Sequence, residues 1–321
     1  MACLCFAFKG IHWVSVIVAL KAPSYSGLAF SLFFQLLSLT LAGYRWKMII
    51  NLPEVSWTAT WSAMIVGLMV NNILPGRIGE LVRPVLLGQE TKVSKVFLFA
   101  TVMIDRFLDL IVLVILGILS FSQFPSIPWA HRVAFTGGLF AVVFLLLAGL
   151  CYSNFRIQVI PNQYRFRLER LFAKFSSPVQ NFKQGFARIS SIRRGLKVFG
   201  ISCLVWGAWF LSMYYALGAF HLSLPVWGGI LLLATLNLSG LIPSSPGYVG
   251  TYHLLAVVVL SIFGVEKEKA LSFILVFHAI WYVPQTILGV AIIIRKHLTL
   301  SGLQQYWKKE EQDLVSLKRQ R

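Results

Sequence analysis

The sequence predicts an all-α, polytopic integral membrane protein, and three observations support this fold class. Hydrophobic residues make up 57% of the 321-residue chain, and charged residues only 12%. A soluble domain carries about 25% charged residues, so this chain lies far outside the usual range. Its mean hydropathy is +0.75. Apolar runs of roughly 20 residues recur along the chain, which is the length an α-helix needs to cross a bilayer.

The net charge of +18 does not by itself indicate a nucleic-acid-binding protein. The basic residues lie between the apolar runs, where the positive-inside bias and anionic lipid head groups account for them. We therefore expect no nucleic-acid partner. The four cysteines have no spacing typical of a zinc site or a disulfide framework. We expect neither a metal nor another cofactor.

The first 24 residues are predicted to form a helix at the membrane interface, preceded by the remnant of a span. Residues 11–22 are apolar but too short to cross the bilayer. The first complete span, residues 25–50, would begin outside the cytoplasm with no earlier span to carry its start there. Residues 1–8 are therefore expected to be the stub of a truncated span, and the alternative is a translocated N-terminus.

Residues 25–152 are predicted to form the first membrane repeat together with a connecting span. Its apolar segments are residues 25–50, 57–74, 93–121 and 129–152. The first segment ends in the cluster Tyr44, Arg45, Trp46 and Lys47, and an aromatic and basic cluster of this kind is typical of a membrane interface. We expect this interface to face the cytoplasm.

Residues 153–197 interrupt the hydrophobic pattern. Ten basic residues and a single acid, Glu169, lie between Arg156 and Lys197. The segment is predicted to be either an amphipathic helix on the anionic cytoplasmic surface or a solvated cytoplasmic loop. A second membrane repeat, residues 198–294, follows with apolar segments at 198–220, 226–242, 248–263 and 271–294. The basic tail, residues 295–321, is expected to be cytoplasmic.

Two Pro-Gly breaks form an internal repeat. Residues 75–80 read PGRIGE and residues 246–251 read PGYVGT, so both match P-G-x-[I/V]-G-x, and each follows an apolar segment. Interrupted hydrophobic segments at matching places in two halves of a chain indicate a transporter-like binding site. The residues expected to break the helices are Pro75, Gly76, Gly79, Pro243, Pro246, Gly247 and Gly250.

Charge asymmetry predicts that the two halves have opposite orientations. If the basic residues around 45–47 and 153–197 are cytoplasmic, residues 57–90 must enter and leave on that face as a re-entrant hairpin. Residues 226–263 would begin and end outside, either as a re-entrant pair or as two complete spans. We expect two inverted repeats, each with a broken or re-entrant helical hairpin that lines a cavity.

Charged side chains follow the first break. Arg77, Glu80 and Arg83 lie at i, i+3 and i+6, so Arg77 and Glu80 can pair across one turn. Guanidinium groups suit a lipid phosphate, and the helix start after the break would add backbone donors. The alternative is an interfacial charge cluster that holds the hairpin at the membrane surface.

A second charged group lies within the predicted span 93–121. Asp105 and Asp109 share a helix face beside Arg106, and their carboxylates are natural partners for an arginine of the neighbouring hairpin. This network would be either a structural lock or a switch that opens as substrate arrives. His278 and Trp281 are expected to be packing or interface residues, and the alternative is a role in binding. The complete set of candidate head-group residues is Asn71, Asn72, Arg77, Glu80, Arg83, Asp105, Arg106, Asp109, Tyr248, Thr251, Tyr252 and His253.

Three stretches resemble the transmembrane region of lysylphosphatidylglycerol synthases: NNILPGRIGELVRP, TVMIDRFLDL and GLIPSSPGYVG, beginning at residues 71, 101 and 240. The resemblance covers about residues 11–297. The family also includes free-standing bacterial inner-membrane proteins and archaeal homologues linked to dolichyl-phosphate sugar metabolism. The resemblance implies a membrane region that flips an aminoacylated lipid between leaflets. The sequence contains no soluble aminoacyl-transferase domain, so the synthase activity is not expected.

The combined sequence evidence predicts a lipid flippase or a lipid-binding transporter in the inner membrane. Its partner would be an anionic or aminoacylated phospholipid, or a polyprenyl-phosphate lipid. One alternative is a membrane-embedded transferase that acts on such a lipid, and another is an accessory subunit of a separate lipid-modifying enzyme. We expect no enzymatic activity, because the sequence contains no nucleotide-binding loop and no recognisable catalytic constellation. The sequence leaves the oligomeric state open.

Overall fold

The structure is a computed structural model that describes residues 13–21, 23–124, 192–241 and 245–296. Within these ranges the chain is helical and contains no β-strand, which confirms the predicted all-α class. The α-helices are α1 (Trp13–Lys21), α2 (Tyr25–Ile50), α3 (Trp57–Ile73), α4 (Gly79–Thr91), α5 (Lys95–Phe121), α6 (Ile192–Ala219), α7 (Val226–Leu238), α8 (Thr251–Ile262) and α9 (Lys267–Arg295). Two short 3-10 turns, Ser239–Leu241 and Pro246–Tyr248, lie between α7 and α8.

Several predicted features lie outside the described residues. They are the N-terminal stub, the span 129–152, residues 153–191 of the basic segment, the break at Pro243 and the tail from residue 297. Among the described helices, three are long and apolar enough to cross a membrane, namely Tyr25–Ile50, Arg193–Ala219 and Lys267–Arg295. Helix α5 has a similar length but carries three charged residues near its middle.

Serine side chains cap the N-termini of α2 and α3. The Gly27 N–H donates to Ser24 Oγ over 3.1 Å at the start of α2. The Ala59 N–H donates to Ser56 Oγ over 3.1 Å at the start of α3. These contacts satisfy backbone donors that have no partner inside the helix. Helix α2 ends at Asn51, whose left-handed backbone (φ +49°) is one that asparagine tolerates.

The helices pack into two large apolar clusters that α9 joins, and a small third cluster lies between α2, α5 and α6. One cluster is formed mainly by α6 to α9, and the other mainly by α2 to α5. Helix α2 lies along α6, and α9 packs against α3 as well as α8. Helix α7 packs on α5, where Ser120 Oγ donates to the Trp227 carbonyl over 2.7 Å. The two halves of the sequence therefore share one packed interior.

Helices α3 and α4 form a tight hairpin around the first Pro-Gly break. Gly79 lies so close to the Gly67 carbonyl oxygen that a Cβ atom at residue 79 would collide with it. The Gly79 N–H donates to Asn71 Oδ1 over 2.7 Å, which closes the hairpin. Glycine is thus required here for the close approach of two backbones.

The two Pro-Gly breaks adopt the same local backbone. Gly76 and Arg77 have φ values of +80° and +55°, and Gly247 and Tyr248 have values of +64° and +59°. Consecutive residues in the left-handed region reverse the chain direction and end a helix. The similarity of the two motifs therefore extends from their sequence to their conformation.

Candidate functional site

Six charged side chains meet where α2, α4 and α5 pack together. They are Arg45, Glu80, Arg83, Asp105, Arg106 and Asp109. Asp105 lies at the centre of this charged network and is fully buried. Its oxygens accept hydrogen bonds from Arg45 Nε at 2.8 Å, Arg106 Nη2 at 2.8 Å and Arg83 Nη2 at 3.4 Å. One carboxylate thus connects three helices.

Arg45 corrects one sequence prediction. It was expected in an aromatic and basic cluster at the membrane interface, but it is 1% exposed and lies inside the charged network. Its Nη1 donates to Asp109 Oδ1 at 2.7 Å and to Ser202 Oγ at 3.2 Å. Its neighbour Trp46 is also buried and donates to Thr101 Oγ1 at 3.0 Å. The prediction of an interface rested on positive charge near the end of an apolar segment. In the structure, the Arg45 side chain is instead buried against the carboxylates of α5.

Glu80 occupies the outer part of the charged network. Arg83 Nη1 lies 3.1 Å from Glu80 Oε2, and Arg106 Nε lies 3.8 Å from the same oxygen. The Asn71 amide donates to Glu80 Oε1 over 3.4 Å. The expected ion pair between Arg77 and Glu80 is not formed. The turn separates the two side chains, because the left-handed backbone of Arg77 precedes the start of α4 at Gly79.

The charged network balances its own charge. Three arginines face three carboxylates, and the Arg83 guanidinium also lies over the Trp46 ring, 4.4 Å from its centroid. Buried ions need partners because desolvation is expensive, and removal of one partner leaves an uncompensated charge. Of the two roles predicted for Asp105 and Asp109, the geometry favours the structural lock.

Arg77 differs from the other arginines around the break. Its guanidinium lies over the Tyr248 ring, 5.9 Å from the centroid, and packs against Gly240. Among the residues that the structure describes, no carboxylate lies within ion-pair distance of it. Arg77 therefore reaches from the first Pro-Gly break to the second, and its charge is not neutralised by an ion pair with a described carboxylate.

A central cavity of 170 Å³ lies between the α3–α4 hairpin and a second hairpin, formed by α7, the two 3-10 turns and α8, and Arg77 lines it. The walls also include α2, α6 and α9. Eight of the predicted head-group residues line the cavity, namely Asn71, Asn72, Arg77, Glu80, Arg106, Asp109, Tyr248 and Tyr252. The other four, Arg83, Asp105, Thr251 and His253, do not line it. The Thr251 hydroxyl instead donates to the Tyr248 carbonyl over 3.4 Å.

Polar atoms in the cavity wall lack hydrogen-bond partners among the described residues. Gln35 Oε1 and Trp209 Nε1 are buried there without a partner. The Tyr252 hydroxyl and Trp281 Nε1 also lack a hydrogen bond of ordinary geometry, although their rings are close enough to interact, with centroids 5.6 Å apart. Buried polar atoms are usually hydrogen-bonded in folded proteins, so water or a polar ligand in this cavity would supply the missing partners.

Several cavity residues are not among the head-group candidates that the sequence indicated. Gln35, Trp206, Trp209, Trp281 and Gln285 line the cavity, as does Arg45. A polar side chain inside a span is a usable signal, and Gln35 and Gln285 carry it. The tryptophans carry none, because their spacing is equally typical of helix packing.

Asn72 connects the first hairpin to α9. Its amide donates to Thr286 Oγ1 at 3.0 Å and to the Tyr282 carbonyl at 3.3 Å. In return, the Tyr282 hydroxyl donates to the Asn72 carbonyl at 3.4 Å. Both asparagines before the first break therefore hold the turn in place, while they also contribute to the cavity wall.

Comparison with known proteins identifies the family. The sequence model of the lysylphosphatidylglycerol synthase transmembrane region matches residues 1–289. The chain belongs to this family. The predicted resemblance is thereby confirmed.

Three proteins that resemble this chain are UPF0104 membrane proteins. The protein of Methanothermobacter thermautotrophicus is 30% identical over 249 residues, which cover 72% of this chain and 73% of the relative. The protein of Pyrococcus horikoshii is 23% identical over 326 residues, with 91% and 95% coverage. One from Methanocaldococcus jannaschii is 25% identical over 312 residues, with 90% coverage of both chains. These relatives are membrane proteins, in agreement with the predicted class.

Proposed function

We propose that this protein binds a lipid with a phosphate-containing head group in the central cavity and carries it between the leaflets. The observation that carries the proposal is Arg77, a cation in the cavity wall without a carboxylate partner among the described residues. The lipid would be an anionic or aminoacylated phospholipid, or a polyprenyl-phosphate lipid. The protein would act without covalent chemistry.

The electrostatics of the site support this proposal. A charge inside a membrane protein is expensive unless it is paired or solvated, and such charges usually mark a substrate pathway. The other arginines around Asp105 are already neutralised, so an incoming anion finds its strongest partner at Arg77. A guanidinium suits a phosphate because it offers several N–H donors in one plane.

The remaining wall residues would fit the rest of a head group. Glu80 and Asp109 line the same cavity and are 12% and 14% exposed, so a cationic amino group could approach their carboxylates. The cavity wall thus combines two partly exposed acids with Arg77, which forms no ion pair among the described residues, and this combination would match an aminoacylated phospholipid. The family name points to the same class of lipid, since lysylphosphatidylglycerol carries both a phosphate and amino groups.

The geometry of the two breaks supports an inverted-repeat architecture. The third residues of the two P-G-x motifs, Arg77 and Tyr248, share a left-handed conformation and contact each other. Contact between equivalent residues is expected where two inverted repeats meet near a pseudo-twofold axis. We propose that both hairpins are re-entrant, that the protein resides in the inner membrane and that its C-terminus is cytoplasmic.

The proposal is tested by the lipids that remain bound to gently purified protein. Mass spectrometry would compare wild type with Arg77→Ala, Arg77→Lys and the control Arg295→Ala, which removes an exposed arginine at the end of α9. Hydrogen bonds to charged groups contribute about 1.5–3 kcal/mol, so Arg77→Ala should reduce the enriched lipid by about 10- to 100-fold. Arg77→Lys should retain part of the binding, and the control all of it.

A translocation assay completes the test. Wild type in vesicles should move a labelled phospholipid with the same head group between leaflets, and Arg77→Ala should not. If all variants carry the lipid profile of the bulk membrane, the cavity does not select a lipid and the proposal fails. A stoichiometric partner protein in the same preparations would instead favour an accessory subunit of a lipid-modifying enzyme.

A further inference from the structure

Two buried histidines contact each other behind the cavity wall. His253, on α8, is 3% exposed, and His278, on α9, is 7% exposed. His253 Nε2 lies 3.4 Å from His278 Nδ1, and the ring centroids are 5.0 Å apart. The pair joins the second hairpin to the last helix, and the site described above makes no use of it.

The neighbouring contacts define where the hydrogens of this histidine pair lie. The Gly250 N–H donates to His253 Nδ1 over 3.4 Å, so His253 carries its hydrogen on Nε2. That hydrogen points to His278 Nδ1, which leaves the His278 hydrogen on Nε2. His278 Nε2 is buried and approaches the Gly247 carbonyl without reaching hydrogen-bond geometry. Both rings are neutral in this arrangement.

The hydrogen-bond pattern indicates which ring nitrogen of the pair would accept an added proton. The only ring nitrogen that holds no hydrogen and accepts none from the other ring is His253 Nδ1. A proton there opposes the Gly250 N–H, since two donors would then face each other. Gly250 has φ +100° and precedes the first turn of α8, so proton uptake would disturb the start of that helix.

The surroundings of the histidine pair contain few other ionisable groups. Tyr252 on α8, Tyr282 on α9 and Tyr248 on the 3-10 turn face it, and Arg77 lies over the Tyr248 ring. Helices α3 and α7 contain no ionisable side chain. The charged residues of α9 lie in its first and last turns, at 267–269 and 295.

The histidine pair is one side chain away from the cavity. The His278 ring stacks on Trp281 with centroids 4.7 Å apart, and its centroid lies 5.3 Å from that of Tyr252. Both Trp281 and Tyr252 line the cavity. We propose that the His253–His278 pair binds one proton together with the anionic head group, so that lipid uptake is coupled to proton uptake. This inference rests on the proposed function, because it requires an anion at Arg77.

Electrostatic linkage gives the sign of the effect. An anion in the cavity attracts positive charge, and little water screens the two sites, so it favours the protonated pair. By reciprocity, the protonated pair raises the affinity for the anion. Lipid affinity should therefore increase as the pH falls, by at most about tenfold per pH unit for a single linked proton.

The test measures binding of phosphatidylglycerol to the purified full-length chain between about pH 4 and about pH 8, a range that extends below the ordinary titration of histidine because the pair is buried. The phosphodiester of this probe stays ionised throughout. His278→Asn offers an oxygen to the His253 N–H but cannot take up a proton. It should retain binding at the alkaline end and lose the pH dependence. His221→Asn is the matched control, because His221 is exposed and its backbone (φ +55°) suits asparagine.

Calorimetry of the wild type in buffers with different heats of ionisation gives an independent answer that needs no variant. It should detect proton uptake when phosphatidylglycerol binds. Zero uptake at every pH, or an unchanged pH dependence in His278→Asn, would overturn the inference. If His278→Asn does not fold, His253→Gln and the calorimetry of the wild type test whether the pair takes up a proton. Unchanged binding in Arg77→Ala would instead refute the proposed function, which keeps the two failures distinct.

Discussion

Replacing Asp105 with asparagine tests whether the charged network is a structural lock. The substitution preserves the shape of the side chain and removes the carboxylate that three arginines share. Asp105 is fully buried, with Arg45 and Arg106 nitrogens at 2.8 Å and an Arg83 nitrogen at 3.4 Å. Asparagine leaves the buried guanidinium groups of Arg45 and Arg83 and the partly exposed one of Arg106 with two carboxylates, so the network acquires a net positive charge.

The expected effect is large. Removal of one partner from a buried ion pair typically destabilises a protein by about 3–5 kcal/mol. For a chain of this size, such a loss lowers the unfolding midpoint by on the order of 10 °C. The assay is the apparent unfolding midpoint in detergent, measured at one scan rate because membrane proteins often unfold irreversibly.

Glu266→Gln provides the matched control. Glu266 pairs with Lys269 at 3.2 Å, but the two side chains are 70% and 58% exposed. An exposed ion pair contributes little because water and salt screen it, so the midpoint should stay close to that of wild type. A combined Arg45→Gln and Asp105→Asn variant should lose less stability than the sum of the single changes. If Asp105→Asn behaves like Glu266→Gln, the lock interpretation is wrong.

Two further substitutions test the first hairpin. Gly79→Ala should strongly reduce the yield of folded protein, because the new methyl group collides with the Gly67 carbonyl. The control Gly207→Ala, at a helical position with open space, should be neutral or stabilising by up to about 1 kcal/mol. Asn71→Asp should lower the unfolding midpoint near neutral pH, because it replaces the amide donor to Glu80 with a second negative charge. Restoration of the wild-type midpoint at high pH would contradict this last explanation, since both acids are then ionised.

The backbone breaks show how much of the architecture the sequence predicts. Proline and glycine restrict or extend the accessible backbone within a few residues, so the matching P-G-x motifs correctly indicated interrupted helices. The apolar runs predicted the described helices other than α4, with boundaries that differ by a few residues. The largest difference is at α6, which begins at Ile192, before its predicted start at residue 198. Charged residues contribute there to a helical turn that a hydrophobicity pattern omits.

The residues of the candidate site could be only partly predicted from the sequence. The sequence showed that Arg77, Glu80, Arg83, Asp105 and Asp109 must find polar surroundings, because isolated charges are costly near apolar segments. It did not show which residues pair. Arg77 and Arg83 lie six positions apart in the same motif but have different environments, since Arg83 is paired with carboxylates and Arg77 lines the cavity.

The sequence by itself determined the helical membrane class, the family and the positions of the two breaks, because these depend on composition and on local backbone chemistry. Only the tertiary structure decided that Arg45 belongs to the charged network, since its partner Asp105 is 60 positions away. The same holds for Arg77, whose neighbours Gly240 and Tyr248 come from the other half of the chain. Pairing between distant residues depends on how the helices pack, and the local sequence around each residue does not determine that packing.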